Sequence, residues 1–184
     1  MQHQAVINTT RNWVQTLVID LNLCPFARKE LVNDRIRFAV TEVVTPDELL
    51  GVLEQELSLL TDDPGIETTL LIHPGVLEDF YDYNDFLAEA DTLLEALELD
   101  GVYQIASFHP DYQFAGTAPD DVENSTNRAP YPMLHLLREA SLEQAIERYP
   151  DTEDIPRHNI ERVTRLGPEK MAALLKACQQ DDPV

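Results

Sequence analysis

An α/β fold, equally describable as α+β, is what this sequence predicts: a small, mostly parallel or mixed sheet of about three strands, packed by helices and followed by a helical C-terminal segment. Three observations predict it. Runs rich in β-branched and aromatic residues over 35–44, 67–72 and 102–108 alternate with longer stretches whose leucines recur at three- and four-residue steps. Capping residues stand where the longer stretches begin. A chain of 184 residues, 43% of them hydrophobic, suits one domain over 1–184 with a core of ordinary size.

Val6, Trp13, Val14, Leu17, Val18 and Leu21 mark the apolar stripe of a first helix over about 4–22. Pro25 cannot continue that helix but suits the first position of another, so Cys24 reads as the N-cap of a short helix reaching Val32. After the first strand, Thr45-Pro46-Asp47-Glu48 is a capping box that opens a helix carrying Leu49, Leu50, Leu53, Leu57 and Leu60. The second strand lands on His73-Pro74-Gly75. A third helix has Phe80, Tyr83, Leu87, Ala90, Leu94 and Leu97 inside and Gly101 at its C′ position. The third strand, Val102 to Phe108, lands on His109-Pro110.

The sheet-containing part is therefore expected over about 35–109, a site loop over 107–132 and a helical part over 133–178. Within the last, Met133–Glu139 reads as a short helix. Ser141 and Gln144 open another, with Leu142, Ala145, Ile146 and Tyr149 inside. Pro156 starts a third, bearing Ile160 and Val163, and a last helix holds Met171, Leu174, Leu175 and Cys178 before QQDDPV frays.

The helix between the second and third strands is long enough for a right-handed crossover, which makes those strands parallel. Both end in His-Pro, as LLIHP and ASFHP. His73 and His109 are then expected on one carboxyl edge of the sheet, where open α/β folds place their ligands. The following proline keeps each histidine extended.

The formal net charge is -21, and no Lys or Arg occurs between Arg37 and Arg128. Such a surface repels nucleic acid and anionic membrane, so neither is expected as a partner. The apolar runs fall short of the roughly 18 residues that a membrane span needs. Cys24 and Cys178 lack disulfide or metal-ligand spacing, and the N-terminus lacks a leader pattern, so a cytoplasmic location is expected. The plain reading of the acidity is a solvated face.

The stretch from Ser107 to Pro132 is the centre of interest. Insertions of this length in a compact domain are usually functional or disordered. Phe108, Tyr112, Phe114 and Tyr131 argue for order, and they bracket His109, Asp111 and Arg128. His109, with Asp111 and Tyr112 nearby, reads as a general base near neutral pH, or else as a structural histidine bonded to loop backbone. Arg128, in Asn124-Ser125-Thr126-Asn127-Arg128, reads as the seat of a carboxylate or phosphate, or as a pin that pairs with Asp120, Asp121 or Glu123. Cys24 reads as a nucleophile stabilised by a helix N-terminus with Arg28 and Lys29 one turn on. Its alternatives are inert packing, or a ligand to haem or metal. His73, His109 and Asp111 form a weaker metal-binding alternative. Cys178 reads as core, and His135 and His158 as helical residues without a role.

NLCPFA, the LLIHP strand end, SFHPDYQFAGTAPDDVENSTNRAPYPMLHLLREAS and DIPRHNIERVTRLG together resemble the bacterial "domain of unknown function 1415" family over roughly residues 6 to 178. The length of the loop motif makes the resemblance specific. It implies one intact single-domain protein and brings no assigned catalytic residue.

Two functional readings follow. In the first the protein is an enzyme on a small anionic substrate: Arg128, Asn127, Tyr112 and Arg28 hold the anion, His109 and Asp111 move a proton, and Cys24 attacks. In the second it is a non-catalytic metal-, haem- or protein-binding module that uses the 107–132 loop. Convergence of Cys24, His109 and Arg128 on one cleft discriminates between them. Cofactor and oligomeric state are left open by the residues.

Overall fold

A computed structural model describes residues 2–148 and 154–179. Helix α1 (Gln2–Trp13) runs into a π-helical segment, Val14–Ile19, and a short α2 (Ala27–Val32) follows. Then come β1 (Ile36–Val40), α3 (Pro46–Asp62), β2 (Thr68–Ile72), α4 (Phe80–Ala96) and β3 (Tyr103–Phe108). A 3-10 turn, Val122–Thr126, lies within the long loop. The chain continues as β4 (Met133–Arg138), α5 (Glu139–Arg148), α6 (Ile155–Leu166) and α7 (Pro168–Cys178).

The strands form one mixed sheet in the order β1-β2-β4-β3. β1 pairs parallel with β2, and β4 pairs antiparallel with both β2 and β3. The α/β class with a mixed sheet holds, with one strand more than expected. Met133–Arg138 is a strand and not the short helix that its pattern suggests. Met133, Leu134, Leu136 and Leu137 carry helical spacing, yet this strand lies between two others with apolar layers on both faces. A strand of that kind reads as a continuous apolar run, which periodicity cannot tell from a helix. The sheet therefore reaches past the loop to Arg138, and the helical part begins at Glu139.

β2 and β3 run in the same direction, because each is antiparallel to β4, but β4 separates them. The shared carboxyl edge expected for His73 and His109 exists all the same. Alternation along the strands divides the core in two. On one face Ile36, Leu70, Ile72 and Met133 pack with Val6, Trp13, Leu17, Val163, Met171 and Cys178. On the other, Ala39, Leu71, Leu134 and Leu136 pack with Leu49, Leu53, Leu57 and Leu60 of α3 and with Tyr83, Phe86, Ala90 and Leu94 of α4. Each fully buried leucine of α3 contributes about 1.5–3 kcal/mol by leaving water.

Local chemistry sets the ends of these helices. The Thr45 hydroxyl accepts the Glu48 backbone N–H at 3.3 Å and donates to the Glu48 carboxylate at 2.9 Å, completing the capping box. Asp79 caps α4 through the backbone N–H groups of Tyr81 (2.8 Å) and Asp82 (3.3 Å). Glu98 (φ 58°), and not Gly101, takes the left-handed position just after α4; Gly101 (φ 75°) turns the chain into β3. Short α2 starts at Ala27 with Phe26 at its N-cap, so Cys24 stands ahead of that helix and does not cap it. In α5, Ile146 is 55% exposed where the stripe places it inside, since a stripe defines a face without supplying its cover. Tyr149 and residues 180–184 lie outside the described residues.

Candidate functional site

The loop leaves β3 and returns to β4 through a closed stem. His109 N–H donates to Asn127 O at 3.3 Å, Ala129 N–H donates to His109 O at 3.4 Å, and Asn127 Nδ2 donates to Ser107 O at 3.2 Å. The end of β2 joins in, with His73 N–H donating to Pro132 O at 3.1 Å. Inside the loop, the fully buried Asn124 is the hub. Its Oδ1 accepts from Phe114 N–H and from the Thr117 hydroxyl, both at 2.9 Å, and its Nδ2 donates to Ala118 O at 2.8 Å. A loop survives without sheet or helix only if its backbone groups find partners, and the Asn124 side chain serves two of them together with one hydroxyl.

Aromatic rings join the loop to α4. Tyr112 lies 5.0 Å from Phe114 and 5.2 Å from Phe80 between ring centres. His109 lies 5.5 Å from Phe80 and 5.1 Å from Tyr83, and His73 stacks on Tyr83 at 5.9 Å. The Tyr83 hydroxyl donates to Met133 O at 2.8 Å and accepts from Phe108 N–H at 3.1 Å, tying the end of β3 to the start of β4. Burial raises its pKa above the ordinary tyrosine value.

His109 sits at the middle of this arrangement, fully buried. The Asp111 backbone N–H donates to its Nδ1 at 3.0 Å. Nδ1 is therefore the lone-pair nitrogen, and Nε2 carries the hydrogen that is donated to Leu77 O at 3.2 Å. Burial lowers the His109 pKa, opposed by the Leu77 contact and by the carboxylates of Asp111 and Asp79. His73 donates from Nδ1 to Val76 O at 2.9 Å, and its buried Nε2 has no partner. Burial first, then the neighbouring His109, pushes the His73 pKa down to about 4.

Arg128 is committed to carbonyls. Its Nε donates to Tyr112 O at 3.4 Å and its Nη2 to Pro119 O at 2.5 Å, while its own carbonyl accepts the Trp13 indole N–H at 3.0 Å. It does pin the loop, through main-chain oxygens and not through Asp120, Asp121 or Glu123. Asn127 is occupied in the stem, and the Tyr112 hydroxyl accepts from Ser107 Oγ at 3.4 Å. The Asp111 side chain is exposed.

Cys24 belongs to another part of the molecule. It is half-buried, its neighbours Leu23 and Ala27 belong to the first core, and α6 holds the preceding turn through Asn159 Nδ2 to Leu23 O at 2.7 Å. The His109 ring touches Phe80 and Tyr83 of α4, on the opposite face of the sheet. Burial raises the Cys24 pKa, only partly opposed by the backbone N–H groups of Phe26 and Ala27. The expected cations are paired elsewhere, Arg28 with Asp20 at 3.5 Å and Lys29 with Glu30 at 3.3 Å. Cys178 is buried in the first core.

His135 stands on β4 and not on a helix. Its Nε2 donates to the Thr68 hydroxyl at 2.8 Å, since that hydroxyl gives its own hydrogen to Leu136 O at 2.6 Å. Burial lowers its pKa to about 4. Among the described residues no group of three or more His, Cys, Asp or Glu is placed to hold a metal ion, which leaves His73, His109 and Asp111 without a shared centre. Sequence reasoning missed the structural roles of Asn124 and Tyr83. Nothing in the sequence marked either, since the atoms they serve are main-chain groups of residues six to fifty positions away.

A family model described as "Protein of unknown function (DUF1415)" matches residues 5–173. The chain belongs to that family. No curated protein and no solved structure matches it. Among the described residues no helix is long and apolar enough to cross a membrane.

Proposed function

We propose that this member of the DUF1415 family is a non-catalytic binding protein of the cytoplasm, which presents the 107–132 loop and the start of α4 as a preformed acidic surface to a cationic protein partner. One observation carries this reading. The side chains of Asn124, Asn127, His109 and Arg128 are committed to backbone atoms in and beside the loop, while its aspartates are exposed, Asp121 also accepting the Ala118 N–H at 2.7 Å. Asp111, Asp120 and Asp121 on the loop and Glu78, Asp79 and Asp82 beside it are exposed. Tyr81, 68% exposed among them, is a residue type that anchors interfaces. A loop already ordered spares most of the entropy of ordering on binding, and a field of one sign steers an oppositely charged partner. Nucleic acid is disfavoured by that same field.

The enzyme reading draws less support. Cys24 and His109 stand on opposite faces of the sheet, both His109 nitrogens are occupied, and Arg128, Asn127 and Tyr112 already serve the loop.

Calorimetric titration with a short Lys/Arg-rich peptide at low and high salt tests the proposal. Saturable binding that weakens with salt and disappears in the combined Asp79→Asn, Asp111→Asn, Asp120→Asn variant is expected; Asn at position 79 keeps the helix cap. Equal binding by the parent and the variant, or none by either, would sink the idea.

A further inference from the structure

We infer that His109 is a proton-operated latch: a proton taken up at its Nδ1 releases the Asp111–Tyr112 turn and opens the start of the loop while both cores stay folded. The two ring nitrogens hold different things. Nε2–H grips the segment before α4 at Leu77 O, and the Nδ1 lone pair grips the loop at Asp111 N–H. Only the second grip depends on a lone pair. A proton arriving from solvent bonds to Nδ1, converts it from acceptor to donor and sets two N–H groups against each other. Asp111 N–H must then leave, whereas the Nε2–H to Leu77 contact persists and strengthens as the ring becomes cationic.

The surroundings prepare for this. From the loop comes the charge of Asp111; from the segment before α4 and its first turns come the charge of Asp79, the Glu78 backbone and the rings of Phe80 and Tyr83. From β2 comes the neutral His73, whose basicity His109 lowers. The carboxylates of Asp79 and Asp111 favour the cation, and burial opposes it. The Asp111 carboxylate, already in solvent, is the acceptor closest in sequence for the new Nδ1–H. Leu77 itself has φ 58°, a left-handed conformation that costs a leucine about 1–2 kcal/mol, so the gripped segment is held under strain. Beyond the turn, Tyr112 N–H bonds to His109 O and Arg128 Nε to Tyr112 O, and both contacts depend on the turn's closure. The Asn124 hub marks the far limit of opening. The latch gains functional weight only from the recognition reading above, but its existence requires no partner.

NMR on the full-length protein from pH 8 to 5 tests it directly. The ring nitrogens of His109 report its protonation, and amide exchange corrected for intrinsic rate reports the turn. The single tryptophan, Trp13, 2% exposed against Phe108, reports global unfolding by fluorescence. The Asp111 and Tyr112 amides are expected to lose at least about tenfold in protection at the midpoint of His109's own titration, with α3 amides and Trp13 unchanged. Two results overturn the inference: His109 staying neutral until Trp13 reports unfolding, or His109 taking its proton while both amides stay protected. In His109→Asn a side-chain oxygen can still accept the N–H two residues on but does not titrate, so the turn should stay closed. Opening at an unchanged midpoint in that variant also overturns it. Failure of the peptide titration leaves these readouts untouched, so the two proposals fail separately.

Discussion

The α3–α4 core and the 107–132 loop lie on either side of the same aromatic cluster, and different forces hold them. The core is leucine against leucine, with Leu49, Leu53, Leu57 and Leu60 all fully buried, and its energy scales with apolar area. The loop is held by directed hydrogen bonds to main-chain atoms from Asn124, Arg128, Asn127 and His109, so its energy is concentrated in a few side chains. The comparison teaches that the loop can change state without the core, because local opening loses only local bonds.

Acid should break both regions, at different stages. His73 and His135 have folded-state pKa values of about 4, against about 6.5 for an unfolded histidine. Between those values the unfolded chain binds more protons, so stability rises with pH; it is fully present above pH 6.5 and lost as pH falls toward 4. At 1.36 kcal/mol per unit, the loss is about 3 kcal/mol from each histidine. Urea midpoints measured across this range should drop steeply below pH 6, and a flat profile would mean that the two rings are solvated. Loop opening through the His109 latch precedes this global loss.

Leu53→Ala should lower global stability by about 2–5 kcal/mol through the cavity that it leaves, with loop exchange rising only as much as global unfolding dictates. Asn124→Ala should do the reverse. It leaves Phe114 N–H without its partner, worth about 1–3 kcal/mol, and Ala118 O with the Asp121 N–H alone, and that loss should appear as faster exchange over 112–124 with a smaller change in the urea midpoint. Equal effects of the two substitutions on the loop and on the midpoint would show the molecule to be one cooperative unit, and the contrast drawn here would fall.

How far the fold could be read depended on the range of the signal. β1, β2 and β3 and helices α3 and α4 carry their evidence within a few residues: a capping box at Thr45, β-branched and aromatic runs, apolar residues at helical steps. β4 does not. Its strand character comes from β2 and β3, whose pairing residues are far away in the chain, and Met133-Leu134-His135-Leu136-Leu137 taken alone fits either period. In the site, the aromatics announced an ordered loop, and the two His-Pro strand ends announced a common edge. The partners of His109 and Arg128 were illegible for a plain reason. They are the carbonyls of Leu77, Tyr112 and Pro119 and the N–H of Asp111, groups that nearly every residue possesses.

By itself, then, the sequence determined the α/β class, the acidic stretch without Lys or Arg from 38 to 127, the order of the 107–132 loop and the placing of His73 and His109 at one end of parallel-running strands. Composition and short-range spacing suffice for those. Only the tertiary structure decided that β4 stands between β2 and β3, that Cys24 lies across the sheet from His109, and which nitrogen of His109 keeps its lone pair. Each of these depends on which distant backbone atom arrives beside a side chain, and that is settled when the helices close on the two faces of the sheet.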